Sequence, residues 1–594
     1  MNDLKEYLFE NILPNVEKPS RYIGDEFNSV KPKENPKVRF AFCFPDIYEI
    51  GMSHLGMKIL YEVLNKEEDV MCERVFAPKM DMAEEMRKHD FPLFSLESFS
   101  KVSDFDFVGF TIQFEMCLTT ILLMLDLANI PFLSKDRTEE DPIVVCGGPC
   151  TCNPEPFADF FDLIMLGEGE EVLPHLMDIY KNFSSKNEFL IKASEVVGVY
   201  IPNLDEIKQE HIEKSIIPSM NNVYSLKKPI VPYTPPVHDR ISLEVMRGCF
   251  RGCRFCQAGM IYRPVRQKSL PTLIEQADEL IKNTGYEEIS LTSLSTTDHF
   301  HCMELVKYLV DNYKDKRINV SLPSLRMDEF SLELSEEVGS LKKNSLTFAP
   351  EAGSQRMRNV INKNLTEEDI LGTIKRVFEA GYSKIKLYFM IGLPYETDED
   401  IKGIADLAQK IINIYYSLEK KKRPKPFKLT VSTSCFVPKP FTAFQWFPQN
   451  SMKEFHRKQQ YLKSLMPKMV TYNYHDSKLS MLEAVLAKGE RFLSKAIIKA
   501  YENGCVFDSW FDHFNYAGWM DALRSIGIEP QEYASRELNY EDELPWDKFD
   551  YHIDKEFLIK ENEKAKKETT TPPCHKKCSA CGISKAYGRC EFEV

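Results

Sequence analysis

The 594-residue sequence predicts an α/β protein with two successive series of strands and helices and a mainly helical C-terminal region. Short apolar runs that end in Gly, Pro or acidic residues alternate with helical patterns through residues 38–170. A second series with six strand candidates spans residues 241–433, and the pattern after residue 446 is mostly helical. Such repeats indicate parallel sheets, because each helix returns the chain to the edge where the next strand starts.

The composition excludes several classes of protein. Charged residues make up 28% of the chain and hydrophobic residues 43%, which is typical of globular proteins rather than disordered or fibrous ones. A net charge of -14 argues against broad nonspecific binding to nucleic acid, which depends on neutralising phosphates. Asp3, Glu6 and Glu10 stand where a secretory signal would be basic, and no apolar run is long enough to span a membrane. We therefore expect a cytoplasmic protein without membrane contact.

The first series, residues 1–182, predicts a doubly wound parallel sheet with a ligand crevice at the carboxyl ends of its strands. A helical pattern at 54–64 follows the first strand candidate. The strand candidates are 38–45, 75–78, 107–112, 142–148 and 162–170. Residues 183–239 contain many prolines and little long-range periodicity, so we expect a connector there.

The second series, residues 240–446, predicts a partial (β/α)6 barrel with its active site at the strand carboxyl ends. Capping boxes at Thr366 with Asp369 and at Thr397 with Asp400 mark the starts of two helices. The strand candidates are 241–246, 287–293, 318–323, 344–350, 383–394 and 427–433. We expect residues 447–560 to form a mainly helical domain and residues 561–594 to form a linker with a cysteine-rich tail.

Three cysteines follow directly on the first strand of the second series. Cys249, Cys253 and Cys256 have C-x3-C-x2-C spacing, and three thiolates on one short loop can ligate three irons of a 4Fe-4S cluster. A closed zinc site would need a fourth ligand nearby, and the neighbouring residues offer neither thiol nor imidazole. Gly248 and Gly252 are expected to let the backbone wrap closely around the inorganic core. The spacing therefore favours an iron-sulfur cluster with one open iron.

This C-x3-C-x-aromatic-C loop after the first barrel strand resembles the motif of the radical S-adenosylmethionine (SAM) superfamily. The resemblance implies that Cys249, Cys253 and Cys256 bind the cluster and that the open iron takes the amino and carboxylate groups of SAM. It places Phe255 against the adenine. It further implies that one electron from the cluster cleaves the sulfonium to release a 5'-deoxyadenosyl radical, with a donor such as flavodoxin or ferredoxin as the electron source.

The same resemblance implies further SAM contacts at later strand ends. Ser293 and Ser295 occupy the place where the family often has a Gly-Gly-Glu motif for the SAM amino group, so hydroxyls or carbonyls would have to replace the carboxylate. The residues that would handle the SAM ribose and carboxylate are Glu351, Gly353, Ser354 and Arg356. Met390 stands beside the place of the adenine.

The first series resembles the cobalamin-binding domain that precedes the barrel in one radical SAM class. The residues that carry this likeness are Gly147, Gly148, Pro149, Pro154, Glu155, Asp162, Gly167, Glu168, Gly169 and Glu170. The Asp-x-His-x-x-Gly loop that supplies a histidine to cobalt is absent, so His54 is expected to cap or pack a helix and cobalamin binding stays open. The whole chain is similar to an uncharacterised family of radical SAM proteins with this cobalamin-binding-like domain.

The C-terminal tail carries a second group of cysteines on a segment without an apolar core. Cys574, Cys578, Cys581 and Cys590 predict either an auxiliary iron-sulfur cluster or a structural zinc. Lysines around them indicate either a solvated tail or contact with RNA phosphates.

These observations predict an enzyme that reductively cleaves SAM with a 4Fe-4S cluster to start radical modification of an unknown substrate. An appended metal knuckle suggests a docking element, which favours a macromolecule such as RNA or a ribosomal component. The alternative is a noncatalytic RNA-binding or assembly factor with structural iron-sulfur or zinc sites. Reductive cleavage of SAM separates the two.

Overall fold

The structure, a computed structural model, describes residues 3–204, 206–322, 327, 345–588 and 591–592. It is an α/β protein with parallel sheets and a helical C-terminal region, as predicted. No helix in the described ranges is long and apolar enough to cross a membrane.

The N-terminal unit is a six-stranded sheet with the order β2-β1-β3-β4-β5-β6, in which only β6 is antiparallel to its neighbour. Its strands are β1 Val38–Phe44, β2 Val70–Phe76, β3 Phe107–Thr111, β4 Ile143–Gly147, β5 Leu163–Met165 and β6 Val199–Tyr200. The main helices of this unit are Leu55–Lys66, Met80–Lys88, Leu118–Leu127, Val172–Tyr180 and Lys186–Ala193. The strands are almost entirely buried, as expected for a sheet with helices on both faces. The order in which strands are added to the sheet reverses between β1 and β3.

The second unit contains seven parallel strands in two sheets, β12-β11-β8 and β13-β14-β15-β16. Its strands are β8 Ile241–Glu244, β11 Glu288–Thr292, β12 Asn319–Ser321, β13 Leu346–Glu351, β14 Lys384–Ile391, β15 Lys428–Cys435 and β16 Val470–Tyr474. The six predicted strands are present. The seventh, β16, was not predicted, because its largely exposed sequence lacks the apolar run of a buried strand.

The helices of the second unit begin where the capping patterns predict. The Asp369 carboxylate accepts from Thr366 N at 2.9 Å, and Asp400 accepts from Thr397 N at the same distance. The helices are Ala258–Ile261, Leu270–Thr284, Cys302–Tyr313, Gln355–Val360, Glu367–Glu379 and Asp398–Ser417. Short strands complete the chain in two small sheets: β7 Ile212–Glu213 with β17 Phe549–Asp550, and β9 Met246–Arg247 with β10 Val265–Gln267 and β18 Glu591–Phe592.

The C-terminal helices after the first return to the N-terminal sheet and share its hydrophobic core, whereas the first helix buries Phe455 and Leu462 in the core of the second unit. They are Met452–Leu465, Ser477–Ala487, Leu493–Glu502, Tyr516–Ser525, Pro530–Ala534, Lys555–Lys566 and Ile583–Tyr587. Polar contacts also join the C-terminal region to the N-terminal unit, since Thr119 donates to Asp508 at 2.6 Å and Arg491 pairs with Asp159 at 2.7 Å. The predicted linker at 561–573 is wrong in its first half, which belongs to the helix Lys555–Lys566, where Phe557, Leu558 and Ala565 are buried.

Candidate active site

The cysteine loop after β9 turns sharply at its first glycine. Gly248 has φ +80°, and a Cβ there would lie 2.8 Å from the Tyr262 carbonyl oxygen, so only glycine fits without strain. Gly252 differs from the expectation: a Cβ there would meet only the Asn362 side-chain amide, at 3.1 Å. The close wrapping of the loop therefore depends on Gly248.

The backbone of the loop is held from three sides. Arg254 N donates to the Ile361 carbonyl at 3.0 Å, and the Asn362 side-chain amide donates to the Gly252 carbonyl at 2.9 Å. Cys574 N donates to the Phe250 carbonyl, also at 2.9 Å. These contacts fix the shape of the loop.

Two arginines inside the motif anchor this shape. Arg251 pairs with buried Asp298, with 3.0 Å between Nε and Oδ2. Arg254 is fully buried and pairs with Glu561 at 3.1 Å. Its other nitrogens donate to the carbonyls of Val360 and Thr569, each at 2.8 Å. Each buried guanidinium is matched by a carboxylate, and that of Arg254 also by carbonyl groups.

The sulfur atoms lie in a setting that fits a thiolate-bound cluster. Cys249, Cys253 and Cys256 are half-buried. The Cys249 sulfur accepts from Arg251 N at 3.4 Å, and the Cys256 sulfur accepts from Gly259 N at 3.3 Å. Burial raises the pKa of Cys256 to about 12, so the free thiol is protonated and a metal must displace the proton. Within the described ranges, His, Cys, Asp and Glu side chains form no preassembled group of three for a metal ion.

A further arginine, Arg263, lies between this loop and the cysteines of the tail. Its Nε donates to the Gly259 carbonyl at 3.0 Å and its Nη2 to the Arg251 carbonyl at 3.3 Å. Burial lowers the pKa of Arg263, but the neighbouring Cys581, Cys574 and Cys249, which favour the charged guanidinium, outweigh burial and raise it. The sequence offers no local signal for this placement.

The structure places three of the four cysteines of the tail. Cys581 is buried and Cys574 half-buried, whereas Cys578 is exposed. Cys590 lies outside the described residues. A metal site formed by the tail cysteines stays a prediction.

The two residues predicted beside the adenine come together in space. Phe255 and Met390 both pack against one apolar cluster that includes Ala352, Leu393 and Phe436. Met390 lies near the carboxyl end of β14, and Phe255 lies on the cysteine loop. Both side chains are only partly buried, so part of their apolar surface is open to a planar base.

The predicted hydroxyl ligands of the SAM amino group occupy different environments. Ser293 lines a cavity and its hydroxyl lies 3.0 Å from that of Thr296. Ser295 is buried and donates to Asp298 at 2.6 Å, so its hydroxyl already supports the carboxylate that holds Arg251.

The residues predicted for the ribose and carboxylate are engaged within the protein. Ser354 caps the helix Gln355–Val360 by accepting from Met357 N at 3.0 Å. Arg356 pairs with Asp400 and, at 3.0 Å, with Glu568. Two neighbouring residues also make contacts within the protein. Glu351 pairs with Lys363 at 3.2 Å, and Gly353 allows close approach of the helix Asp398–Ser417, since a Cβ would lie 2.1 Å from Ile404 N. A role of these four residues in SAM binding stays a prediction.

A cavity of about 460 Å³ lies between the two α/β units. The carboxyl ends of β3, β4 and β5 face it through Thr111, Gly148 and Gly167, as the doubly wound fold predicts. The carboxyl ends of β8 and β11 face it through Glu244 and Thr292. Gly248, the residue before Cys249, forms part of its wall. Both sheets therefore open onto one space beside the cysteine loop.

An ion-pair network spans this cavity. Arg247 pairs with Glu168 at 3.2 Å, with Glu170 at 2.5 Å and with Glu244 at 2.9 Å, so it links the two units. Arg266 pairs with Glu168 at 2.6 Å. Burial raises the pKa of Glu168, but the two arginines outweigh burial and lower this pKa to about 2. The sequence pattern singles out Glu168 and Glu170 but not their partners Arg247 and Arg266, because no local pattern relates residues so far apart.

His54 caps a helix, as predicted. Its Nδ1 accepts from Met57 N at 3.1 Å at the start of Leu55–Lys66, and its ring lies 5.4 Å from that of Phe44. Burial lowers the pKa of His54 to about 4, so the ring is neutral at neutral pH. The cap occupies Nδ1 of His54 and leaves Nε2 as its other ring nitrogen.

The cap makes stability depend on pH. The pKa of His54 is 6.5 in the unfolded chain and about 4 in the folded protein. Between these pH values the unfolded chain binds a proton that the folded protein does not, so the free energy of unfolding decreases as the pH is lowered through this window. We expect wild type to lose roughly 2 kcal/mol more than His54→Asn, which keeps a capping acceptor, between pH 7 and pH 5. Denaturant unfolding at both pH values measures this, and equal losses would refute the prediction. If cobalamin binds, we expect its affinity and spectrum to be unchanged in the same variant.

Comparison with known proteins agrees with this architecture. The family profile described as radical SAM proteins, N-terminal, matches residues 56–202, and the profile of the radical SAM superfamily matches residues 243–408. An uncharacterised protein of Methanocaldococcus jannaschii is 29% identical over 81% of this chain and 98% of its own length. The ribosomal protein uS12 methylthiotransferase RimO of a Thermoanaerobacter species is 24% identical over 28% of this chain and 40% of its own.

Among solved structures, the cobalamin-dependent SAM radical enzyme OxsB aligns over 89% of this chain and 79% of its own, with 12% identity and a TM-score of 0.47. The two family profiles match in the order in which the α/β units follow each other, and the cysteine loop lies inside the second match. The chain therefore belongs to the radical SAM superfamily and is one of its enzymes, with a 4Fe-4S cluster and SAM as cofactors.

Proposed function

We propose that Cys249, Cys253 and Cys256 hold the cluster and that radical chemistry acts on a substrate group inside the cavity between the two α/β units. The observation that carries this proposal is that the cavity wall includes Gly248, next to the first cysteine, and the carboxyl ends of both sheets. When bound, the cluster supplies one electron to SAM, whose cleavage gives methionine and a 5'-deoxyadenosyl radical.

The residues of the chain prepare this chemistry by position and by charge. Backbone N–H groups of Arg251 and Gly259 point at two sulfurs and stabilise their negative charge. Phe255 and Met390 pack against the same apolar cluster, and their exposed surfaces would contact the adenine. The cavity is lined by residues of both α/β units, so a substrate group held there is contacted from two sides.

The cavity supports a substrate group of limited size. Its volume of about 460 Å³ lies in the range of small-molecule pockets, roughly 300–1,000 Å³. Leu60, Met246 and Ile261 supply apolar wall, while the charged groups around Arg247 are already paired. A small molecule fits this space, and a macromolecule can present one nucleotide or one side chain to it.

An RNA or ribosomal substrate is the specific version of this proposal. It is supported by the likeness to RimO, named for the ribosomal protein uS12, and by a cavity large enough for one inserted residue. The noncatalytic alternative has lost its support, since the chain belongs to an enzyme superfamily.

The substrate is tested by comparing strains. A deletion strain is complemented with wild type, with Cys256→Ala or with Cys435→Ala as a barrel-cysteine control, and RNA digests, ribosomal proteins and metabolites are analysed by mass spectrometry. We expect one modified species to be absent with Cys256→Ala and present with wild type and the control. A modification confined to metabolites would exclude the macromolecular version, and identical profiles in all strains would contradict the proposed function.

A further inference from the structure

The sheet β13-β14-β15-β16 has two unlike faces, because side chains alternate along each strand. On β14, Ile385, Leu387 and Phe389 are buried in one core with the helices Glu367–Glu379 and Asp398–Ser417. We call this the outer face. The opposite, inner face carries Lys384, Lys386, Tyr388 and Met390 of β14, Lys428, Thr430, Ser432 and Ser434 of β15, and Thr471 and Asn473 of β16.

The inner face is positively charged at the amino ends of its strands. Lys384 and Lys428 are register partners, Lys386 follows two residues later, and all three are exposed. The strands β14, β15 and β16 contain no acidic residue, and within the described ranges none of these lysines forms an ion pair. The loop ahead of β15 adds exposed Lys420 and Lys421. On a chain of net charge -14, this is a local surface for phosphate groups.

An aromatic ring and polar groups follow the lysines along the inner face. Tyr388 is 42% exposed and is the next residue of β14 on this face after Lys386. Its register partner Ser432 is half-buried, and Asn473 beside Ser432 is exposed, so hydrogen-bonding groups lie next to the ring. Single-stranded RNA is held on protein surfaces by bases stacked on aromatic rings and by phosphates on basic side chains. The inner face supplies both.

The same face leads to the cysteine loop. Met390 lies two residues beyond Tyr388, which is about 7 Å along a strand. Met390 packs against the apolar cluster that also contacts Phe255 of the cysteine loop. From Lys384 to Met390 the strand covers about 20 Å. A surface of this length contacts several linked phosphates, whereas one small anion would occupy only its amino end.

We propose that the inner face binds a single-stranded RNA segment and presents one of its nucleotides to the cysteine loop. Phosphates lie on Lys384, Lys386 and Lys428, one base stacks on Tyr388, and the following nucleotide passes Met390. The inference rests on the proposed function, because presenting a nucleotide there serves a purpose only if the loop starts radical chemistry. An acidic protein segment is the competing occupant. It would use the lysines but would gain nothing from stacking on Tyr388.

The lysines are tested by fluorescence anisotropy of the full-length enzyme with a labelled oligouridylate of about 15 nucleotides. Lys384→Gln/Lys386→Gln should bind about tenfold more weakly than wild type. The slope of log affinity against log salt should fall by about 1.4, since each phosphate contact to a single strand contributes about 0.7. Lys384→Arg/Lys386→Arg keeps the charge and should bind like wild type.

The matched control for the lysines is Lys453→Gln/Lys463→Gln. It removes the same charge from exposed residues of the helix Met452–Leu465, which packs on the outer face of the sheet. This control should keep the affinity and the salt slope of wild type. Equal affinities of wild type and Lys384→Gln/Lys386→Gln, or an equal loss in the control, would overturn the proposal.

The stacking contact is tested with Tyr388→Ala, which should bind the same RNA about tenfold more weakly with an unchanged salt slope, because stacking is not ionic. Tyr388→Phe keeps the ring and should bind like wild type. Tyr474→Ala is the control, since Tyr474 is also 42% exposed but its register partner Thr433 belongs to the outer face. It should match wild type.

A labelled oligoglutamate separates the two occupants. If it binds wild type as tightly as the RNA, and Tyr388→Ala binds both probes like wild type, the face belongs to an acidic protein segment and the proposal is wrong. The proposed function fails separately, if wild type forms no 5'-deoxyadenosine from SAM with dithionite in the absence of RNA. The anisotropy measurements would then still decide whether the inner face binds RNA.

Discussion

Cys256→Ala is expected to reduce formation of 5'-deoxyadenosine from SAM to background under dithionite. The substitution removes one of three thiolates from a loop whose shape the protein already fixes, so no other cysteine of the loop can move in to replace it. We also expect loss of the SAM-responsive EPR signal and of about four iron atoms per chain. Product is measured by chromatography and mass spectrometry after anaerobic reconstitution.

Cys435→Ala is the control for this experiment, since Cys435 is a buried cysteine at the end of β15. It should retain both the signal and the product. Two outcomes speak against the assignment: SAM cleavage by Cys256→Ala, or a wild type that is loaded with cluster and SAM and yields no product.

Arg254→Met is expected to cause the largest loss of stability. The side chain is fully buried, and its removal leaves the Glu561 carboxylate without its arginine and three carbonyls without their donor. Breaking a buried pair costs about 3–5 kcal/mol, and because Glu561 keeps Lys564 and Thr571 as partners we expect the lower end, about 3 kcal/mol. Denaturant unfolding measures the loss, and limited proteolysis should cut between residues 555 and 588, because this segment has lost its hold on the loop.

Arg524→Met provides the comparison. Arg524 is an exposed arginine that pairs with Glu529 at the surface, and surface pairs contribute little to stability. The control should unfold like wild type. Similar unfolding of Arg254→Met and its control would show that the interface between the loop and the C-terminal segment is not important for the fold.

The parts of the fold that local patterns encode could be predicted from the sequence. Alternating apolar runs predicted both α/β units, and capping boxes located the helix starts at Thr366 and Thr397. The exposed strand β16 and the return of the C-terminal helices to the N-terminal core could not be predicted. Strand β16 is defined by its pairing with β15, from Leu429 with Val470 onwards, and the return of the helices by contacts between residues hundreds of positions apart; periodicity records neither.

The same division holds at the site. The cysteine spacing and the aromatic Phe255 are local signals, and Phe255 does lie with Met390 in one cluster. Ser354 shows the opposite case, since its place before Gln355–Val360 is that of a helix cap and its hydroxyl is used as one. Arg254 and Arg263 act through partners from the far end of the chain, so the sequence around them shows only two basic residues near a cysteine motif.

The contacts of Glu561, Thr569 and Cys574 with the loop also determine when the site can be completed. Ribosomes synthesise a protein from its first residue to its last, so the cysteine loop emerges long before the segment that covers it. During that interval Arg254 has neither Glu561 nor Thr569 as a partner, and the Phe250 carbonyl is open to water. The fully anchored form of the loop is therefore reached late in folding, only when the C-terminal segment has docked.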